Sequence, residues 1–115
     1  PDLVAVHRTG GPLQFLPAPT EIARRCKNYV GSVAFDSTGK VAVASYPRGG
    51  LILLWDVATG QLLEAVDLQD GCGIARAVSP GEIIATSGTG TIIDLAEKMP
   101  RQPEKNLRWD NHLAI

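Results

Sequence analysis

Apolar side chains in this chain recur at every second position over short stretches, and Gly, Pro, Asp or Ser separates one stretch from the next. A period of two is typical of strands with unlike faces, and the separating residues favour turns. Along one such stretch, Val41, Val43 and Ser45 are expected on one face of the strand. Ala42, Ala44 and Tyr46 are expected on the other face. In the middle of the chain the pattern predicts strands at residues 32–35, 40–46, 51–57 and 61–68.

Weaker alternation continues on both sides of this block. Residues 3–16 are predicted to form a hairpin around a turn at residues 8–11, and Pro17 and Pro19 end it. On the other side, further strands are predicted at residues 74–78, 82–87 and 91–96. The polar stretch 97–106 contains two prolines and is expected to be a surface loop.

The chain also repeats itself. A shift of 42 residues places Gly31 on Gly73 and Ser45 on Ser87, and Asp56 matches Asp94 once four residues at the Pro-Arg-Gly-Gly turn are skipped. Repeats of about 40–45 residues, each made of short strands and Gly turns, are typical of four-stranded propeller blades. The predicted fold is therefore all-β, a portion of a β-propeller built from four-stranded antiparallel blades.

This repeat divides the chain into four parts. Residues 1–16 are expected to form the outer hairpin of a preceding blade, and residues 17–30 a linker with a short helix at 21–28 that Thr20 caps. Residues 31–68 are predicted to form a complete blade, with a type II turn at Pro-Arg-Gly-Gly. Residues 69–115 are predicted to form the next blade, with a closing tail at 107–113.

Such a fragment is expected to leave apolar blade faces open. The remaining blades of a longer parent protein would cover those faces, or the isolated chain would self-associate through them.

Composition excludes several classes of partner. The net charge is −1 and aromatic residues make up 5% of the chain, which argues against nucleic-acid binding. The longest apolar run, residues 51–55, is far shorter than the roughly 20 residues of a membrane helix, so no membrane insertion is expected. Cys26 and Cys72 lack a metal-binding spacing and are expected to be buried free thiols.

No catalytic set, cofactor site or metal site is predicted. His7 and His112 lie far apart in the sequence, and the chain has no G-x-S-x-G motif. Arg24, Arg25 and Lys27 are expected to form a solvated face of the short helix, with an anion site as the alternative.

Six residues remain as candidates for contact with a ligand or partner, since turns at the ends of blades commonly carry binding sites. Arg48 can cap a carbonyl, pair with Asp70 or face a ligand. In the tail, Trp109 is expected to pack against a blade. The candidates are Arg48, Asp70, Trp109, Asp110, Asn111 and His112.

Trp55-Asp56, followed by Ala58-Thr59-Gly60, resembles the end of a WD40-type blade, although the Gly-His pair that opens such a repeat is missing. The chain resembles more fully a bacterial family of WD40-like and YVTN-like propellers named domain of unknown function fifteen-thirteen. Tyr46 departs from the second Ser that is usual in that family. Four segments carry the resemblance: residues 28–34 (NYVGSVA), 45–50 (SYPRGG), 70–73 (DGCG) and 109–113 (WDNHL).

The resemblance implies a seven-bladed propeller, exported by a twin-arginine signal, of which this chain is the C-terminal third. A periplasmic location is therefore expected, and Cys26 and Cys72 would become eligible to pair there. Relatives tend to be encoded beside imelysin-like and haem-containing proteins, which implies a link to iron uptake.

Two functions stay open. The first is a non-enzymatic binding or scaffold module that acts on an unknown protein or small-molecule ligand. The alternative is a propeller hydrolase or a metal-dependent lactonase-like enzyme, which would hold a cation in a central channel.

Overall fold

A computed structural model describes residues 2–95 and 99–101 of the chain. In this part of the chain, short strands follow one another, and one short helix lies between the second and the third strand. The elements are β1 (Ala5–His7), β2 (Leu13–Phe15), α1 (Thr20–Arg25), β3 (Ser32–Phe35), β4 (Val41–Tyr46), β5 (Leu51–Asp56), β6 (Leu62–Asp67), β7 (Gly71–Arg76), β8 (Ile83–Ser87), β9 (Ile92–Asp94) and β10 (Met99–Arg101).

These strands form three antiparallel sheets, and each strand pairs with its neighbour in the chain. The first sheet is the hairpin β1–β2, the middle sheet has the order β3-β4-β5-β6, and the third has the order β7-β8-β9-β10. The fold is all-β apart from the six-residue helix α1, as the alternating pattern predicts. Within each sheet, strands that follow one another in the chain pair antiparallel, because short turns reverse the chain direction.

The two central strands of the middle sheet, β4 and β5, are buried on both faces. Leu51, Leu53 and Trp55 of β5 pack with the hairpin and α1, whereas Ile52 and Leu54 pack with the third sheet. β4 divides in the same way: Ala42, Ala44 and Tyr46 belong to the first core and Val43 to the second, which confirms the predicted faces. The three sheets therefore stack in chain order.

Trp55 joins the middle sheet to the segment before α1. Its side chain is fully buried, and the indole Nε1–H donates to the Pro17 carbonyl oxygen over 2.8 Å. A buried indole needs such a partner, because an unpaired N–H in an apolar core is costly. The hydrogen bond fixes the linker across the face of the sheet.

Helix α1 is shorter than predicted and begins one residue earlier. Thr20 lies inside the helix, and Pro19 stands at the N-cap position without a side-chain cap, so the predicted Thr20 cap is wrong. The helix ends at Arg25, because Lys27 and Asn28 both have a φ of 53°, which a right-handed helix cannot accommodate.

Two predictions in the last third of the chain are also wrong. β7 begins at Gly71 instead of residue 74, because Gly71 and Gly73 give no alternating side-chain signal. Residues Met99–Arg101, predicted to be loop, form β10 and pair with β9. Pro100 is tolerated there because proline can lie in a strand at the end of a sheet. The predicted tail strand 107–113 lies outside the described residues.

Asp36 connects the middle and third sheets at one end. Its carboxylate is almost fully buried and accepts hydrogen bonds from Thr38 Oγ1 (2.7 Å), Lys40 N–H (3.0 Å) and Val41 N–H (3.1 Å) within its own turn. A fourth bond comes from Gly81 N–H (3.0 Å) in the turn between β7 and β8. Burial opposes ionisation, but these hydrogen bonds outweigh it and hold the Asp36 pKa below its ordinary value of 3.8.

Replacing Asp36 with Asn is expected to lower the free energy of unfolding at pH 7 by about 2 kcal/mol, because hydrogen bonds to a charged acceptor are lost. The folded-state pKa is depressed, so the carboxylate stabilises the fold above pH 3.8 and loses that effect as the pH falls further. Urea unfolding measured from pH 7 to pH 3 should show the two proteins converging at the acid end. Asp56→Asn is the matched control, since the Asp56 carboxylate bonds to Thr59 within its own turn. An equal loss in both variants would contradict the inter-sheet role.

Candidate functional site at one end of the sheets

Three of the four segments singled out in the sequence meet at one end of the sheets. Strands β4, β6 and β8 all run toward this end, which therefore carries the turns 47–50, 68–70 and 88–91, and the segment 28–31 reaches it before β3. We call these turns and this segment the motif rim. The segments are in direct contact: Gly31 N–H donates to the Ser45 carbonyl (2.9 Å), and Ser45 Oγ–H donates to the Cys72 carbonyl (3.3 Å).

The turn 47–50 has a different form from the predicted type II turn. Gly49 N–H donates to the Tyr46 carbonyl (3.0 Å) and Gly50 N–H to the Pro47 carbonyl (3.3 Å), so two turns overlap. Positive φ occurs at Gly50 (67°) and not at Arg48 or Gly49, whereas a type II turn would need it at the third residue of either turn. The prediction of a type II turn is wrong, and the overlapping turns leave the Arg48 side chain exposed.

Arg25 holds this turn against helix α1 and strand β6. Its Nη2 donates to the carbonyl oxygens of Gly49 (3.2 Å) and Gly50 (3.4 Å) and forms an ion pair with Asp67 Oδ1 (2.9 Å). The Arg25 backbone carbonyl lies directly over the Cα of Gly49, where any side chain would collide with it. The Arg25 side chain is exposed, as predicted for a solvated face, and it also contacts the motif rim.

Arg48 makes a cation–π contact. Its guanidinium carbon lies 4.5 Å from the centroid of the Tyr29 ring, and both side chains remain exposed. An aromatic face attracts a guanidinium and restricts its orientation without using its N–H donors. The pair therefore presents a partly ordered positive group at the motif rim.

Asp70 lies on the neighbouring turn in a left-handed backbone conformation, with a φ of 53°. Its carbonyl oxygen accepts hydrogen bonds from Gly88 N–H (2.9 Å) and Cys72 Sγ–H (3.0 Å). Its carboxylate lies against Gly88, at a place that a β-carbon on residue 88 would occupy. Asp70 thus joins two turns of the motif rim through its backbone, and its carboxylate fills the space beside Gly88.

The predicted pairing of Arg48 with Asp70 does not form. Both residues lie at the motif rim, but in the described part of the chain the ion pair within 4.0 Å is Arg25–Asp67. The other four candidates, Trp109, Asp110, Asn111 and His112, lie outside the described residues. His7 lies at the opposite end of the sheets, beside Thr38 and Gly39.

Sequence reasoning missed the two residues that organise the motif rim. Tyr29 belonged to a quoted segment but carried no signal for its contact, since its partner follows 19 residues later. Arg25 pairs with Asp67 across 42 residues, a separation that no local pattern reports. The Arg25 contact arises where α1 lies against the middle sheet, and the Tyr29 contact arises where the segment before β3 runs beside the turn that follows β4.

The chemistry available at the motif rim is recognition of negative charge. Arg48 offers a planar set of N–H donors that suits a carboxylate, and the backbone around it is fixed by short glycine contacts. Among residues 2–95 and 99–101, no three His, Cys, Asp or Glu side chains are grouped to hold a metal ion.

A family described as "Protein of unknown function (DUF1513)" matches residues 1–115, the full length of the chain. No curated protein matches the chain. Within the described residues, no helix is long and apolar enough to cross a membrane.

Replacing Gly49 with Ala is expected to lower the free energy of unfolding by about 1–3 kcal/mol, because the new methyl group would meet the Arg25 carbonyl and force α1 away from the turn. Chemical denaturation measures the loss. Gly11→Ala is the control, since a methyl group there makes only ordinary contacts with Arg8 at 3.4 Å or more. A neutral Gly49→Ala variant would contradict the close approach of α1 to the motif rim.

Proposed function

The chain belongs to the DUF1513 family of proteins of unknown function, and we propose that it is a segment of a WD40-like β-propeller that acts as a non-enzymatic binding module. Its ligand is a carboxylate-bearing group, carried by a protein partner or a small molecule, and the motif rim binds it. The observation that carries this proposal is the exposed Arg48–Tyr29 pair at the point where three separate sequence segments meet.

The stacking of the sheets supports the propeller. Blades of a propeller follow one another in chain order, and each packs its faces against its two neighbours. The middle sheet has a neighbour on each face, and these neighbours precede and follow it in the chain. Strand β2 is the last strand before the middle sheet, just as β6, the fourth strand of the middle sheet, is the last strand before the third sheet. We therefore take β1 and β2 as the third and fourth strands of a preceding blade.

The Arg48–Tyr29 pair supports the binding role. A guanidinium that stacks on a ring keeps its edge donors for a carboxylate, and a bidentate contact adds direction to charge attraction. In the part of the chain that the structure describes, Arg25 already has a carboxylate partner and Arg48 has none. Turns at the ends of blades are exposed and rigidly supported, which favours their use in binding.

We further propose that the protein works in the periplasm, with a role connected to iron uptake. This part of the proposal rests on the family resemblance. Cys26 is a buried free thiol, and Cys72 is half-buried with its thiol donating to the Asp70 carbonyl oxygen. Burial raises the pKa of the Cys26 thiol, against the opposing charge of Arg25, which makes that thiol less reactive toward oxidants.

An NMR titration with citrate tests the binding role, because citrate supplies carboxylates without any other recognition group. We expect the Arg48 side-chain N–H signals and the Tyr29 ring signals to shift with a Kd on the order of 1 mM, and Arg48→Gln to weaken binding about tenfold. Arg24→Gln is the control: it removes the same charge from an exposed residue of α1. Equal weakening by both variants would show that citrate binding depends on net charge alone. An unchanged Kd in Arg48→Gln would refute the proposed site.

A further inference from the structure

A groove runs along the free edge of β1, on the face of the middle sheet that the hairpin covers. Leu3 and Val6 line one side of it, and Val33, Phe35 and Ala42 line the other. Its volume is about 350 Å³, and it continues past Val6 and Phe35 into a cavity of about 470 Å³ beside His7 and Thr38. The groove follows the whole length of β1.

The groove leaves apolar side chains of β3 in solvent. Val33 is 60% exposed and Phe35 47%, although Ala44 and Ala42, their partners on the neighbouring strand, are buried in the core beneath the hairpin. On the opposite face of the same strand, Ala34 packs against the third sheet. Strand β3 is therefore covered on one face and open on the other.

The wall of the groove is an open strand edge. Among the described residues, β1 pairs only with β2. Leu16 N–H donates to the Val4 carbonyl, and bonding directions alternate along an antiparallel strand, so the N–H and C=O groups of Ala5 and His7 point away from β2. An unpaired edge beside an apolar floor is a template for another strand.

The opposite face of β3 and β4 is covered by the third sheet, and this cover indicates what kind of element fits the groove. There, β7 lies against β3 and β4, and β8 follows it in the same sheet and continues into the core with Ile83 and Ala85. These are the first and second strands of the next sheet. The hairpin β1–β2 immediately precedes the middle sheet in the chain, as the third and fourth strands β5 and β6 precede the third sheet, so the first two positions of its sheet are the ones that the groove occupies.

We propose that this groove is a strand-addition site for an antiparallel strand pair of the β7–β8 kind, supplied by the preceding blade of the same polypeptide. Its second strand pairs with Ala5 and His7 along the open edge, and its first strand covers Val33 and Phe35. The groove is continuous with the established contact of hairpin and middle sheet, because Val4, Val6 and Ala42 belong to both. The inference rests on the proposed propeller and is independent of the motif rim.

The chain itself supplies the probe. A second copy of residues 70–90, joined ahead of Pro1, places a β7–β8 pair beside the groove at high effective concentration. We expect amide hydrogen exchange of Ala5 and His7, followed by NMR, to slow at least tenfold relative to the unfused chain. The melting temperature should rise as Val33 and Phe35 become covered.

Two variants of the fused chain serve as controls. Ala5→Pro removes a donor from the open edge and keeps the bonds between β1 and β2, and Val33→Lys places a charge on the floor. Each should abolish the protection at His7, while neither should lower the stability of the unfused chain, since both sites are at least partly exposed there.

Unchanged exchange at Ala5 and His7 in the fused chain would overturn the proposal. So would sedimentation showing a dimer of the fused chain that Ala5→Pro dissociates, because the occupant would then be a second copy. Failure here leaves the citrate titration unaffected, since neither Ala5 nor Val33 belongs to the motif rim.

Discussion

The burial of β5 on both of its faces is the constraint from which the rest of the arrangement follows. Its residues from Leu51 to Trp55 are all apolar and buried, and side chains alternate across a strand, so two separate covers are required. The hairpin and α1 provide one cover, and the third sheet provides the other. Burying each of these side chains is worth roughly 1.5–3 kcal/mol, which makes the stacking of sheets the main source of stability.

The motif rim is formed by connections that meet at one end of the sheets, and three of its glycines lie in confined places. A β-carbon at Gly49 would collide with the Arg25 backbone carbonyl, which belongs to α1. A β-carbon at Gly31 would lie 2.8 Å from Pro47 Cγ, and one at Gly88 would meet the Asp70 carboxylate. The contacts at Gly31 and Gly49 hold the backbone on which Arg48 and Tyr29 are displayed.

Much of the fold could be predicted from the sequence, because alternation is a local signal. Strand β3 has the predicted bounds, and β4, β5 and β6 differ from prediction by one residue at one or both ends. Local signals failed where side chains carry no alternation, as at Gly71 and Gly73, and where backbone conformation ends an element, as at Lys27.

The candidate site was less predictable, since its contacts link distant residues. Arg48 and Asp70 were placed at one end of the sheets by their turns, yet their contacts with Tyr29 and Gly88 follow from the pairing of β3 with β4 and of β7 with β8. The two copies of the repeat also differ at a residue that links the sheets. The counterpart of Asp36 in the next sheet is Val78, which is 89% exposed, so the buried carboxylate that links two sheets is not copied.

Amide hydrogen exchange across the whole chain tests the central claim that the middle sheet is an inner layer with a neighbour on each face. The account predicts that the slowest-exchanging amides lie in β5, where the strand is paired on both edges and covered on both faces, with β2 and β9 exchanging faster. If β5 exchanged as fast as the hairpin β1–β2, the middle sheet would not be enclosed, and the stacked arrangement would be contradicted.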